Sequence, residues 1–187
     1  MAYLSLDPPR GPLLRFTDWY ARRRFGRSLG PMRATGHHTG VTWALARLEM
    51  SVERWKALDP QLKTLAVMAS AARTNCSWCL DFGHWKAEGD GMPMEKLRLV
   101  PVWRDHPESF TERERRVMAY AEAMTDTEPT VTEEDARWLV EHLGEKAFEE
   151  LVVIVGVENL RSRVNLGNGL VSEGFSDQCE VRPLPRP

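Results

Sequence analysis

Cysteine, long apolar runs and net charge are all scarce in this chain of 187 residues. Each scarcity closes off a class of function. Three cysteines are too few for the disulfide framework of a small secreted scaffold. No apolar stretch approaches the ~20 residues of a membrane-spanning helix, and the longest candidate, 151–157, is far shorter. A net charge of -2 makes no general case for nucleic acid or an anionic membrane as partner. The one basic run, Arg22-Arg23-Arg24 with Arg27, alternates with Trp19, Tyr20 and Phe25 and reads as the wet face of an amphipathic helix. The first nine residues lack the charged start and apolar centre of a signal peptide, so a cytoplasmic protein is expected. In a reducing cytosol a close cysteine pair is redox-active or metal-binding more often than it is a structural staple.

What is present is helical pattern. Apolar residues make up 42% and charged ones 28%, ordinary values for a globular chain, and the length suits one domain or two small halves sharing a core. The reading is all-α over 1–187: an arm at 1–12, a first half over 13–99, a second over 110–176, and a proline-rich tail at 177–187. Pro101 and Pro107 mark 100–109 as a linker between the halves. A helix over 14–25 is closed by Gly26. A second spans 39–56, with Val41, Leu45, Leu48, Val52 and Trp55 on one stripe. Asp59 and Pro60 start a third, buried through Leu62, Leu65, Ala66, Ala69 and Ala72. Thr111 and Glu114 form a capping box before a helix that buries Val117, Met118, Ala121 and Met124. Thr132 caps the next, with Trp138, Leu139 and Leu143 inward. Val152-Val153-Ile154-Val155 has strand-like composition, yet Phe148, Leu151, Val155 and Leu160 keep helical spacing, so 145–164 is read as helix. A weak internal echo sets Leu65 against Leu151, which puts Ser162 opposite Cys76 and Asn165 opposite Cys79. Either the second half is a degenerate copy of the first, or two apolar helices align by chance.

The chemistry gathers at Cys76-Ser77-Trp78-Cys79. Two sulfurs three residues apart can cycle between dithiol and disulfide, and a cysteine at a helix N-terminus has its thiolate favoured by the dipole and the unpaired N–H groups. A peroxide would oxidise one thiolate to a sulfenic acid, which the other sulfur condenses to a disulfide. A zinc site would need two further ligands. His84 and Cys179 can be assembled on paper, but the spacing of structural zinc sites is not met. Cys179 is otherwise an idle thiol or an extra resolving one. Trp78 either packs in the core or walls a pocket for an apolar hydroperoxide. His37 and His38 read as capping or surface residues.

The runs Leu62-Lys63-Thr64-Leu65-Ala66-Val67 and Asn75-Cys76-Ser77-Trp78-Cys79-Leu80-Asp81-Phe82-Gly83-His84 resemble the carboxymuconolactone decarboxylase / alkylhydroperoxidase D superfamily. So do Phe110-Thr111-Glu112-Arg113-Glu114-Arg115, Ala119-Tyr120-Ala121-Glu122-Ala123-Met124 and Glu158-Asn159-Leu160-Arg161-Ser162-Arg163-Val164-Asn165. The resemblance covers most of 40–176. It implies a compact all-α bundle with two helical halves sharing a core, assembled as a homo-oligomer. It also implies thiol-dependent reduction of organic hydroperoxides, with Cys79 peroxidatic, Cys76 resolving and an external thiol as reductant. No resident cofactor or metal is implied, and nothing suggests a lactone carboxylate site.

Two positions depart from the family pattern, which places a glutamate twelve residues before the first cysteine and a histidine four after the second. Here those positions hold Thr64 and Gly83. Threonine cannot relay a proton as a carboxylate does. His84 comes one residue late and so lies roughly 140° around a helix from Cys79. Glu158 interrupts the apolar stretch 152–160 and is a possible substitute, since a buried carboxylate can act as acid or base near neutrality. Pairing with Arg161 or Arg163 is the plainer reading. The expected function is therefore a dithiol peroxidase-like redox protein. The alternative is a non-catalytic helical oligomer that senses oxidation or binds a small apolar ligand.

Overall fold

The computed structural model describes residues 2–9 and 11–176, so Cys179 and the rest of the proline-rich tail lie outside the described residues. All regular structure among the described residues is helical. The chain divides into two compact units. The first holds the residues up to Trp55 together with Val164–Val171. The second holds Lys56–Arg163 and, of the described residues beyond Val171, 172–176. No described helix is long and apolar enough to cross a membrane.

The first unit is built from α1 (Pro12–Phe25), α2 (Gly30–Thr35) and α3 (Thr39–Val52). Proline at the first turn starts α1, and Gly26 at φ +76° closes it, a backbone angle that a side chain would resist. Arg22, Arg23 and Arg24 lie exposed in its last turn, where positive charge suits the helix dipole. The His38 ring accepts the Val41 N–H at 3.2 Å and caps α3, and His37 bonds to the Ser5 carbonyl at 2.8 Å. The expected stripe on α3 is only partly met. The helix stops at Val52, Val41 is 43% exposed, and Thr42 and Val52 are the buried positions.

The second unit centres on α4 (Pro60–Arg73), packed against α5 (Ser77–Gly89), α7 (Glu112–Thr125) and a 3-10 segment, Val100–Asp105. Asp59 Oδ1 accepts the N–H groups of Gln61 and Leu62 and starts α4. Leu62, Leu65, Ala66, Met68, Ala69, Ser70 and Ala71 are all buried, so α4 hides most of its circumference. Small residues on it let its neighbours come close. Glu150 binds the Ala57 and Leu58 N–H groups and pairs with Lys63 at 2.5 Å, joining α9 (Glu145–Gly167) to the start of α4. The capping box forms as expected at α7, and Glu114 also pairs with Lys96 at 2.7 Å from α6 (Met94–Leu99).

Three expectations are corrected in this unit. The stretch 100–109 is no open linker: it winds into 3-10 turns with Val100 and Trp103 buried. On α8 (Glu133–Leu143) Leu139 is buried, but Trp138 lies near the surface, stacked on His142 at 3.8 Å. On α9 Leu160 points outward at 41% exposure. The buried stripe runs instead through Leu151, Ile154, Val155, Glu158, Ser162 and Asn165, so it turns from apolar to polar midway. Leu65, Met118, Leu139, Leu151 and Ile154 are almost wholly buried, each contributing about 1.5–3 kcal/mol by leaving water.

Candidate functional site

Asn75 adopts φ +54°, a left-handed angle that asparagine tolerates better than most residues. It reverses the chain between α4 and α5 and delivers Cys76 to the N-cap of α5. There the Cys76 sulfur accepts the Cys79 N–H at 3.3 Å. Cys76 and Cys79 are joined as a disulfide with their Cα atoms 5.3 Å apart. Both are buried, Cys76 at 0% and Cys79 at 7% exposure.

Where the family pattern has a histidine there is no room for one. A Cβ on Gly83 would lie 2.4 Å from the Met68 sulfur, and Met68 is itself buried on α4. Gly83 is thus a point of close approach of α5 to α4. His84 is buried at 4% exposure, and its Nδ1 has no hydrogen-bond partner. No hydrogen bond joins it to either sulfur. Burial, and then the charge of Arg98, push its pKa below the ordinary histidine value, with Asp81 pulling the other way. Its ring is neutral at neutral pH.

The polar neighbour of the pair comes from α9. The Ser162 hydroxyl lies 3.5 Å from the Cys79 sulfur and 3.2 Å from Glu158 Oε1. Ser162 is at 0% exposure and Glu158 at 2%. Glu158 Oε2 meets Arg161 at 3.3 Å, so the plainer reading of this carboxylate holds alongside its place near the sulfur. The result is a buried chain from sulfur to hydroxyl to carboxylate. Asn159, beside Glu158, sets the register of α9: its amide donates to Thr125 Oγ1 at 2.9 Å and Ser70 Oγ at 3.2 Å, bridging to α7 and α4. Ser162 carried no mark as a sulfur partner in the sequence. Its signal was the buried spacing Glu158, Ser162, Asn165, legible only once Leu160 is known to face outward.

A second feature touches the cysteine turn. Asp81, at 0% exposure, receives the Ser172 hydroxyl and Glu173 N–H on Oδ2, each at 2.9 Å. On Oδ1 it receives the Phe175 N–H at 2.9 Å and the Ser176 N–H at 2.8 Å. Burial works to raise the pKa of this carboxyl, but these donors outweigh it and hold the value below the usual range. The segment so held adds a bond from Ser172 N–H to Ser77 Oγ at 3.3 Å and lays Phe175 against Trp78. Among the described residues no three of His, Cys, Asp and Glu gather as metal ligands.

The carboxymuconolactone decarboxylase family model matches residues 40–123, which include the cysteine pair. An uncharacterized protein of Escherichia coli strain K12, YnjA, is 30% identical over 171 residues, covering 91% of this chain and 93% of its own. The chain belongs to the carboxymuconolactone decarboxylase / alkylhydroperoxidase D-like superfamily. Solved structures share its all-α superfamily fold. The debrominase Bmp8, bound to 2,3,4-tribromopyrrole, superposes with a TM-score of 0.80 at 17% identity over 94% of this chain and 95% of that one. An uncharacterized peroxidase-related protein from Silicibacter sp. TM1040 gives 0.78 at 15% identity over 94% and 96%. Superfamily membership and the Cys76–Cys79 disulfide are compatible with a redox function. The debrominase marks how far the chemistry of this fold ranges.

Proposed function

We propose that the protein is a dithiol peroxidase-like redox enzyme. Cys79 is its peroxidatic residue, Cys76 its resolving residue, and Ser162 with Glu158 its proton path. One observation carries the reading: the buried chain from the Cys79 sulfur through Ser162 to Glu158, in a protein whose family relay positions hold Thr64 and Gly83. A hydroxyl can accept a proton from a thiol while donating its own to a carboxylate. Glu158 can thus take the Cys79 proton without touching the sulfur. In the reduced protein the Cys79 thiolate attacks the distal oxygen of a hydroperoxide. The S–O bond forms, the O–O bond breaks, and the leaving alkoxide takes a proton back through Ser162 to depart as an alcohol. The Cys76 thiolate, favoured by its N-cap position, then attacks the Cys79 sulfenic sulfur and expels hydroxide, which leaves as water. Two external thiols return the disulfide to the dithiol by exchange, becoming a disulfide themselves.

The test is peroxide consumption with cumene hydroperoxide and a thiol reductant, with free thiols titrated in parallel. Wild type should consume peroxide and lose both thiols. Cys79→Ser should do neither, and Cys76→Ser should accumulate a sulfenic acid that traps with dimedone. Wild type that neither consumes peroxide nor forms the disulfide overturns the reading. Rapid disulfide formation with negligible turnover moves the protein to the sensor class.

A further inference from the structure

Trp78, Phe82 and Trp85 occupy one face of α5, spaced four and three residues apart. Trp78 stacks on Phe82 with centroids 5.0 Å apart and planes 17° apart, and Phe82 meets Trp85 at 5.7 Å. Phe175 covers all three, at 6.0 Å from Trp78, 5.3 Å from Phe82 and 5.9 Å from Trp85. It arrives on a segment with no helix or strand, which hydrogen-bonds to Asp81 and Ser77 of α5. The covering ring thus rides on a segment without regular structure that Asp81 latches, while the three beneath it are fixed in a helix.

A second observation is independent of the rings. Trp78 is 7% exposed, and its indole N–H has no hydrogen-bond partner. Buried donors are nearly always satisfied, and one that is not asks for an explanation. The Phe175 side chain carries no nitrogen or oxygen that could accept from the indole. A ligand with an aromatic ring and an oxygen could stack as Phe175 does and also satisfy this donor. Trp78 belongs to the cysteine turn, so such a ligand would bind at the turn that carries the pair.

We infer that Trp78, Phe82 and Trp85 form a seat for a planar aromatic molecule bearing a hydrogen-bond acceptor, and that Phe175 fills this seat until such a molecule displaces it. The inference deepens the peroxidase reading by naming aromatic hydroperoxides as the substrate class, and it rests on that reading for the approach of an apolar substrate to the pair. Binding lifts the 172–176 segment from the cysteine turn, and Asp81 is the positioning residue that returns it.

The test uses oxidised protein, which cannot turn over, so the seat and the peroxidase chemistry succeed or fail separately. The probe is 2-phenyl-2-propanol, with tert-butanol as the ringless control. The readout is the indole N–H signal of Trp78 in protein labelled with 15N-tryptophan, assigned by its loss in Trp78→Phe. The ringed alcohol should shift that signal and tert-butanol should not. Phe175→Ala should bind the ringed alcohol about tenfold tighter, because the resident ring no longer competes. Asp81→Asn, which loosens the latch and keeps all four rings, should tighten binding by a smaller factor and serves if Phe175→Ala fails to fold. An unmoved Trp78 signal at saturation overturns the proposal. So does affinity that is unchanged or weaker in Phe175→Ala, or in Asp81→Asn where that variant stands in.

Discussion

Glu158 and Ser162 are the residues on which proton handling turns. A positioned acid or base contributes about 10²–10⁴-fold to a rate. Glu158→Gln keeps the size and the bond to Ser162 but cannot take a proton. It should slow sulfenic acid formation by roughly 10²-fold or more at neutral pH, measured by stopped flow with cumene hydroperoxide. Its deficit should shrink as rising pH ionises Cys79 unaided. Ser162→Ala breaks the same chain one link earlier and should give a loss of similar shape in the pH profile, which a change that merely loosens packing would not. Glu158 was visible in the sequence because a carboxylate in an apolar stretch is conspicuous. Its connection to the sulfur was not, because that runs through a serine whose side chain looks ordinary in any helix.

Whole elements were more legible than their faces. Asp59-Pro60, Thr111 with Glu114, and Thr132 announce three helix starts through local chemistry, and all three form. The strand-like run 152–155 lies within α9. Misjudged faces, as at Leu160, Trp138 and Val41, reflect neighbours that sequence periodicity does not contain. Gly83 is the clearest case: in sequence it is a missing histidine, in the fold it is a point where α5 approaches Met68 of α4 too closely for a side chain. Gly83→His should therefore fail to restore a relay. The imidazole has no space beside Met68, and overpacking should cost at least about 1–3 kcal/mol, read as a lower urea midpoint with no gain in peroxide rate. Asn159 works at the same scale by fixing how α9 is turned. Asn159→Ala leaves the sulfur-to-carboxylate chain chemically intact but frees its register. It should lower kcat by about tenfold, an order expected of small misplacements, with little change in KM for the hydroperoxide.

For the molecule as a whole, the buried titratable groups set a dependence of stability on pH. His84 has a pKa below its unfolded value. As pH falls through about 6.5 the unfolded chain takes up a proton that the folded chain refuses, and stability declines with falling pH. Asp81, Glu114 and Glu150 also have lowered values. The stability they supply is present above the unfolded carboxylate range and lost as pH falls through their folded values. Urea unfolding should therefore show two acid-side declines, a mild one beginning near pH ~6.5 and a steeper one below ~4. His84→Gln should abolish the first and leave the second. The cap that Cys76 places on α5 has a consequence of a different kind. Its sulfur faces the positive end of a thirteen-residue helix, where an anion is more welcome than a neutral atom. Electrons arriving at the pair create such an anion, so the helix draws the couple toward its reduced form and makes the disulfide a stronger oxidant. The peptide dipoles of α5 thus act as a fixed bias on an electrochemical cell, and its potential can be tuned by residues that never meet either electrode.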